Sequence, residues 1–293
     1  MDRFLIVTAD DFGLHEAVNE AVEQAARAGT LTAASLMVSA PAAADAVRRA
    51  RELPGLRVGL HLTLADGRAE LPCASIPHLV DASGRFGPRS LAHEGLRWFA
   101  RPAVRRELAA EIRAQFRAFD RTGLVLDHVN AHKHLHLHPT VLGLILEIGR
   151  QFGMRAVRLP AEPRWFARRA GSGAITSALA AAGLAPWLAL MQLRLAGAGL
   201  GHNDQVFGVA ASGAMNEATL LAILERLPPG TTEIYLHPAT CSGAAIARSM
   251  PNYRHAEELA ALLSPRVAEA VAGCGAARGG FLDSAAVGKL RLS

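Results

Sequence analysis

Two carboxylates, Asp10 and Asp11, stand side by side in Val7-Thr8-Ala9-Asp10-Asp11-Phe12-Gly13, directly behind an apolar run. Adjacent charges at the end of a buried strand are costly unless something cationic neutralises them. Successive residues of an extended chain point in different directions, so one carboxylate of the pair can ligate a metal ion while its neighbour faces substrate as a base. The competing reading is an Asp that caps the helix beginning near Leu14. Five of the twelve histidines fall in Asp127-His128-Val129-Asn130-Ala131-His132-Lys133-His134-Leu135-His136-Leu137-His138-Pro139. His132, His134, His136 and His138 alternate, so an extended segment would line one face with imidazoles. A carboxylate plus two imidazoles suits a divalent metal and leaves positions open for water and substrate. His61, in Gly59-Leu60-His61-Leu62, adds an imidazole from a third place in the chain. Arg158 and His237 follow two further apolar runs. An arginine near Asp10 would keep it ionised and oriented, and a histidine across the site would protonate a leaving group.

The elements that must position these residues alternate in type. Residues 3–9 read as a buried strand, and Leu14, Val18, Val22 and Ala25 lie at helical spacing, which predicts a helix over 14–28 stopped by Gly29. Strands are expected at 32–38, 56–62, 125–130, 155–159 and 231–236, with helices at 42–52, 102–121, 139–152, 216–226 and 255–271. Residues 66–100 are punctuated by Pro and Gly and read as a long insertion. Such alternation is the pattern of an α/β protein with a mainly parallel sheet. Asp11, His61 and His132 then sit at three strand ends, and in a (β/α) barrel those ends converge on one rim.

Composition narrows the class. The chain has 293 residues, 51% of them hydrophobic and 19% charged, and shows no linker that would cut it in two, so a single folded domain is expected. Cys73, Cys241 and Cys274 are odd in number and widely spaced, which fits neither a disulfide framework nor a C-x-x-C metal knuckle. The run after Met1-Asp2-Arg3 is too short for a signal peptide, so a cytoplasmic location is expected. Net charge is +5 and the only lysines are Lys133 and Lys289. The arginine clusters, at Arg101, Arg105, Arg106, Arg113 and Arg117 and at Arg164, Arg168 and Arg169, come with no nucleic-acid-reading motif, so no nucleic-acid partner is expected. Residues 174–193 carry no charge; Gly183 and Pro186 interrupt them, which argues against a membrane span and for a buried or capping helical pair, or for an apolar lid touching a greasy ligand or a bilayer surface.

Thr8-Ala9-Asp10-Asp11-Phe12-Gly13, Gly59-Leu60-His61-Leu62 and His128-Val129-Asn130-Ala131-His132-Lys133-His134-Leu135-His136 resemble the YdjC-like carbohydrate deacetylases. The His-Lys-His-x-His-x-His-Pro spacing and Gly201-His202-Asn203-Asp204-Gln205 are most similar to the hopanoid-biosynthesis-associated branch. The resemblance implies a distorted (β/α) barrel of the glycoside hydrolase/deacetylase type holding one divalent metal ion, zinc or magnesium. It implies hydrolysis of an N-acetyl group on an amino sugar, here the lipid-linked headgroup of a hopanoid. Asp11, His61 and His132 would be the metal ligands and Asp10 the base. Arg158 beside the base and His237 as acid follow more loosely, from related polysaccharide deacetylases. His134 and His136 would line the sugar site or orient His132. Thr8 stands where the family commonly has Asn, Ala239 where a Gly often follows His-Pro, and Lys133 where chitooligosaccharide-acting members have His, which favours the hopanoid branch over a diacetylchitobiose-type substrate. Two other readings compete. A glycoside hydrolase would use Asp10 and Asp11 as its carboxylate pair, although neighbours in sequence are poorly placed to flank a sugar at separations of about 5–9 Å. A metal-buffering protein would bind several ions through 128–138.

Overall fold

The computed structural model describes residues 2–87, 91–170, 174–247 and 250–284. Strands β1 (Arg3–Phe12), β2 (Ala33–Leu36), β3 (Arg57–Leu62), β4 (Val129–Ala131), β5 (Gln205–Phe207) and β6 (Gly230–Leu236) form a parallel sheet in the order β4-β3-β2-β1-β6-β5, and a short β7 (Ala277–Arg278) pairs with β1. Helices α1 (Glu16–Ala28) and α2 (Ala43–Arg51) make the first two crossovers. Helices α3 (Leu91–Ala100) and α4 (Pro102–Asp120) precede β4, and α5 (Pro139–Gly149), α6 (Arg164–Ala170) and α7 (Ala174–Gly197) precede β5. Helix α8 (Glu217–Leu224) precedes β6, and α9 (Ala244–Ala247), α10 (His255–Leu263) and α11 (Pro265–Gly273) follow it.

Local signals explain most boundaries. Helix α1 buries Val18, Ala21, Val22 and Ala25 and ends at Gly29, whose φ of 84° suits a residue without a Cβ. Its N-cap is His15, whose side chain accepts the Ala17 N–H, so neither Asp10 nor Asp11 is occupied in capping. The helical stretch expected over 255–271 is two helices, because Pro265 has no N–H to continue α10 and instead opens α11 behind the Ser264 cap. Helix α7 is one element rather than the expected pair, with Pro186 inside it. Among the described residues no helix is long and apolar enough to cross a membrane. In the expected insertion, Glu111 of α4 accepts the backbone N–H groups of Glu70 and Leu71 and so pins that loop to the helix.

The barrel closes imperfectly. The strand expected at 125–130 is ordered as a ladder only over β4, and 155–159 forms no strand. That segment nonetheless fills a strand's place between the two sheet edges. It makes isolated parallel bridges Val129–Val157 and Ala156–Gly201, and beyond them the Val206 N–H donates to the Ala161 carbonyl. Pro160 and Pro163 supply no N–H, which limits the ladder to single bridges. The result is the distorted (β/α) barrel that the sequence implied.

Inward positions alternate along each strand and stack in layers. Ile6, Ala33, Ala156 and Phe281 form a small apolar cluster, separate from the main core, that plugs the bottom. Above it lies a buried polar layer containing Thr8, Ser35, His128, Arg158 and Glu233. Asp10, His61, Asn130, His132 and His237 come next, at the carboxyl ends of the strands.

Candidate metal centre and active site

Strand β1 does not run straight through the carboxylate pair. Its register against β2 shifts between Ala9 and Phe12, and Asp11 adopts φ 61°, a left-handed conformation rare outside glycine. Asp10 and Asp11 consequently have separate sets of partners.

The Asp11 Oδ1 atom lies 3.2 Å from His61 Nε2 and 3.1 Å from His132 Nδ1, while its Oδ2 is buried with no hydrogen-bond partner. One ligand atom from each of Asp11, His61 and His132 lies within 4.8 Å of the others, and among the described residues this group can hold a metal ion. Burial would raise the Asp11 pKa, but the charge and hydrogen bond of His132, followed by those of His61, hold it well below the usual carboxylate range. Charge supports the same conclusion. Asp10 and Glu233 share the Arg158 guanidinium, whereas Asp11 has imidazoles alone as partners, a buried carboxylate that a metal ion would neutralise.

Asp10 is clamped rather than ligating. Arg158, fully buried, donates to Asp10 Oδ2 at 2.5 Å and Oδ1 at 3.0 Å, and its other edge donates to Glu233 at 2.8 and 2.7 Å. Thr8 donates to Glu233 Oε1 at 2.7 Å, which gives that unusual residue a definite task. Arg158 also stands 4.6 Å over the Tyr235 ring. Burial alone would raise Asp10, but the charges of Arg158 and His61 and the Arg158 hydrogen bonds pull it far below the ordinary value, so its carboxylate stays ionised.

Hydrogen-bond logic also fixes the His61 ring. Ionised Asp10 can only accept, so the Asn130 group 3.2 Å from it must be the amide NH2. The Asn130 carbonyl then faces His61 Nδ1 at 2.6 Å, and Nδ1 must donate. With Nδ1 donating to Asn130, Nε2 is the ring nitrogen that faces Asp11 Oδ1, and it is the atom that would bind a metal ion there, giving up its proton to do so.

The histidine run departs from the extended row that alternation suggested. His132–Leu137 is a tight 3-10 turn in which Lys133 (φ 54°) and His134 (φ 53°) are left-handed. The turn sends the side chains apart. His132 goes to Asp11, His134 Nε2 meets the Tyr235 hydroxyl at 2.9 Å, and His138 caps α5 by accepting the Thr140 N–H. Lys133 pairs with Asp66. His136 is fully buried and accepts the Ala131 N–H at 3.1 Å. Expected either to line the sugar site or to orient His132, it is not among the residues that line the cavity described below. His134 does line the wall, with burial lowering its pKa to about 3.

Above the metal group is a cavity of about 220 Å³ bounded by Asp10, His61, His132, His134, Tyr235 and His237, together with Lys133, Ser212, Met250 and Tyr253. His237 has an unpartnered Nδ1, and burial lowers its pKa to about 4 despite the Asp11 and Asp10 charges. Glu258 accepts its backbone N–H and sets where the ring emerges from β6. Of the residues expected in the site, Asp10, His61, His132, His134 and His237 line this cavity, while Asp11 and Arg158 lie behind the wall, bonded to His61 and His132 and to Asp10. Sequence reasoning passed over Asn130, Glu233 and Tyr235. Glu233 had a signal, since a lone charge inside Thr231-Thr232-Glu233-Ile234-Tyr235-Leu236 demands a buried partner.

Known proteins resemble this chain to different extents. A crystal structure of a candidate cellobiose-phosphate cleavage protein from Enterococcus faecalis superposes with TM-score 0.72 at 24% identity, over 96% of this chain and 98% of that one, a likeness of fold. A carbohydrate deacetylase from Geobacillus stearothermophilus is 37% identical over 163 residues, 56% of this chain and 60% of that protein. Another carbohydrate deacetylase, from Vibrio cholerae, is 34% identical over 148 residues, 50% of this chain and 56% of its own. The chain therefore aligns with less than two thirds of the length of these curated relatives. The family model for YdjC-like proteins matches residues 4–273, nearly the whole chain, and the protein belongs to the YdjC-like family.

Proposed function

We propose that this protein is a metal-dependent hydrolase that removes the N-acetyl group from an amino sugar. One observation carries the reading: a buried Asp-His-His group lies beside a separately clamped, ionised carboxylate on the wall of one cavity. The relatives named carbohydrate deacetylases support the same class of reaction. Asp11, His61 and His132 would hold one divalent ion, with zinc favoured by the mixed ligand set and magnesium as the other expected ion. Such an ion supplies Lewis acidity, polarising the acetamide carbonyl and acidifying a water.

The chain's own residues do the rest. Asp10, kept ionised and oriented by Arg158, accepts the proton of the attacking water. His237 delivers a proton to the departing amine. Because burial keeps its ring uncharged at neutral pH, that proton is acquired within the catalytic cycle rather than carried in beforehand. His134 and Tyr235 form a hydrogen-bonded wall against which the sugar is positioned.

The substrate favoured by the histidine-run spacing is the N-acetylglucosaminyl headgroup of a hopanoid, with a diacetylchitobiose-type oligosaccharide as the alternative. Leu190 and Leu193 of α7 are 47% and 70% exposed, an apolar surface that would meet a polycyclic tail or a bilayer. The test is acetate release by the metal-loaded protein from N-acetylglucosaminyl bacteriohopanetetrol and from diacetylchitobiose. Release from the first alone supports the lipid-linked substrate, release from the second alone overturns it while keeping the chemistry, and release from neither overturns the deacetylase reading.

A further inference from the structure

Beneath the metal group, Ser35, His128 and Asp127 are joined in line. Ser35 Oγ is 3.0 Å from His128 Nε2, and His128 Nδ1 is 2.8 Å from Asp127 Oδ2. These are the distances of a hydrolytic Ser-His-Asp triad. The Ser35 hydroxyl, however, is fully buried, and Ser35 is not part of the cavity wall, so no substrate carbonyl reaches it. Instead Ser35 Oγ lies 3.0 Å from Asn130 Nδ2, the amide that bridges Asp10 and His61.

We propose that Ser35, His128 and Asp127 form a positioning relay that fixes the Asn130 amide and so presents the lone pair of His61 Nε2 to the metal. The inference rests on the metal-site reading above. Proton order along the chain follows from its ends. Asp127 accepts the Phe281 and Leu282 backbone N–H groups and has only acceptors to offer, so His128 Nδ1 donates to it. His128 Nε2 then accepts the Ser35 hydroxyl proton, which leaves a Ser35 lone pair to accept from Asn130 Nδ2. Asp10 demands the same Asn130 orientation from the other side. Two carboxylates at opposite ends of the network therefore select one amide orientation and one His61 tautomer.

The surrounding packing is shaped to hold this chain. The Phe281 ring stacks on His128 at a centroid distance of 4.5 Å. Gly59 of β3 passes so close that a Cβ there would lie 2.5 Å from the His128 ring, and one on Gly280 would lie 2.5 Å from Asp127 Oδ1. Neither ring nor carboxylate has room to retreat while both of its ends are bonded. The bottom plug of the barrel is thus connected through hydrogen bonds to a metal ligand two layers above it.

The test combines a wild-type measurement with variants. In histidine-labelled wild type, ring 15N–1H correlation spectra at neutral pH should show a proton on Nδ1 of both His128 and His61, with Nε2 of His128 bare. An Nε2–H tautomer at either ring overturns the relay. Zinc affinity of the metal-free protein, measured by competition with a chromophoric chelator, should fall about 10- to 100-fold in Ser35→Ala. Asp11→Asn separates the two readings: if it leaves zinc affinity unchanged, the metal-site reading itself fails. If Asp11→Asn weakens zinc but a folded Ser35→Ala does not, only the relay is overturned. Covalent labelling of Ser35 by a fluorophosphonate would also overturn it, since a reactive, accessible serine is not a positioning group.

Discussion

Replacing Arg158 by Gln tests whether one guanidinium stabilises the floor of the site. The substitution removes four hydrogen bonds and leaves two buried carboxylates, Asp10 and Glu233, without the guanidinium they share. Breaking a buried ion pair from one side costs about 3–5 kcal/mol. Four charge-assisted bonds at about 1.5–3 kcal/mol each would suggest more, but desolvation of the three groups opposes them in the folded protein. The loss should depend on pH. In the wild type the Asp10 pKa lies below its unfolded value, so its contribution is present above about pH 4 and disappears as pH falls through the depressed folded value. Without Arg158, burial of Asp10 is opposed by the imidazole charges of His61 and His237, which fade as pH rises, so the variant loses stability toward higher pH. The gap between the proteins must therefore widen from acidic to mildly basic conditions. Urea unfolding of the chelator-treated proteins at pH 5 and pH 8 measures it, with Arg158→Gln/Glu233→Gln recovering part of the loss by removing one stranded charge. A difference below about 1 kcal/mol at pH 8, or one independent of pH, would refute the argument.

Other consequences follow from the same geometry. His237→Gln should lower kcat by about 10²- to 10⁴-fold, the usual contribution of a general acid, with zinc affinity unchanged; equal activity would remove His237 from the proton path. Leu190→Ser with Leu193→Ser should reduce turnover of the lipid-linked substrate and leave that of diacetylchitobiose alone, and unchanged turnover of both would count against α7 as an apolar contact.

Much of this site was legible because its residues are of the wrong type for where they sit. Asp10, Asp11 and His61 interrupt apolar strands, and a charge or imidazole in such a place needs a chemical reason. Strand periodicity then put them on one rim. The histidine run was misread because alternation was taken as extension. Two consecutive left-handed residues, Lys133 and His134, turn the chain through a conformation that no local pattern signals, and only contacts with Tyr235, Asp66 and Ala131 select it. The segment over 155–159 looked like a strand because it fills a strand's position, but prolines and a gap between sheet edges leave it only single bridges. Asn130 and Ser35 were silent for a different reason. Small polar residues are common in strands, and their role comes entirely from what lies across the barrel.

The most direct test of the central claim pairs ion stoichiometry with turnover in wild type and Asp10→Asn. The account predicts one zinc per chain in both proteins and acetate release in the wild type alone, because Asp10 serves as base without ligating. Zinc binding lost together with Asp10, several ions bound through residues 128–138, or acetate release that persists in the variant would contradict it.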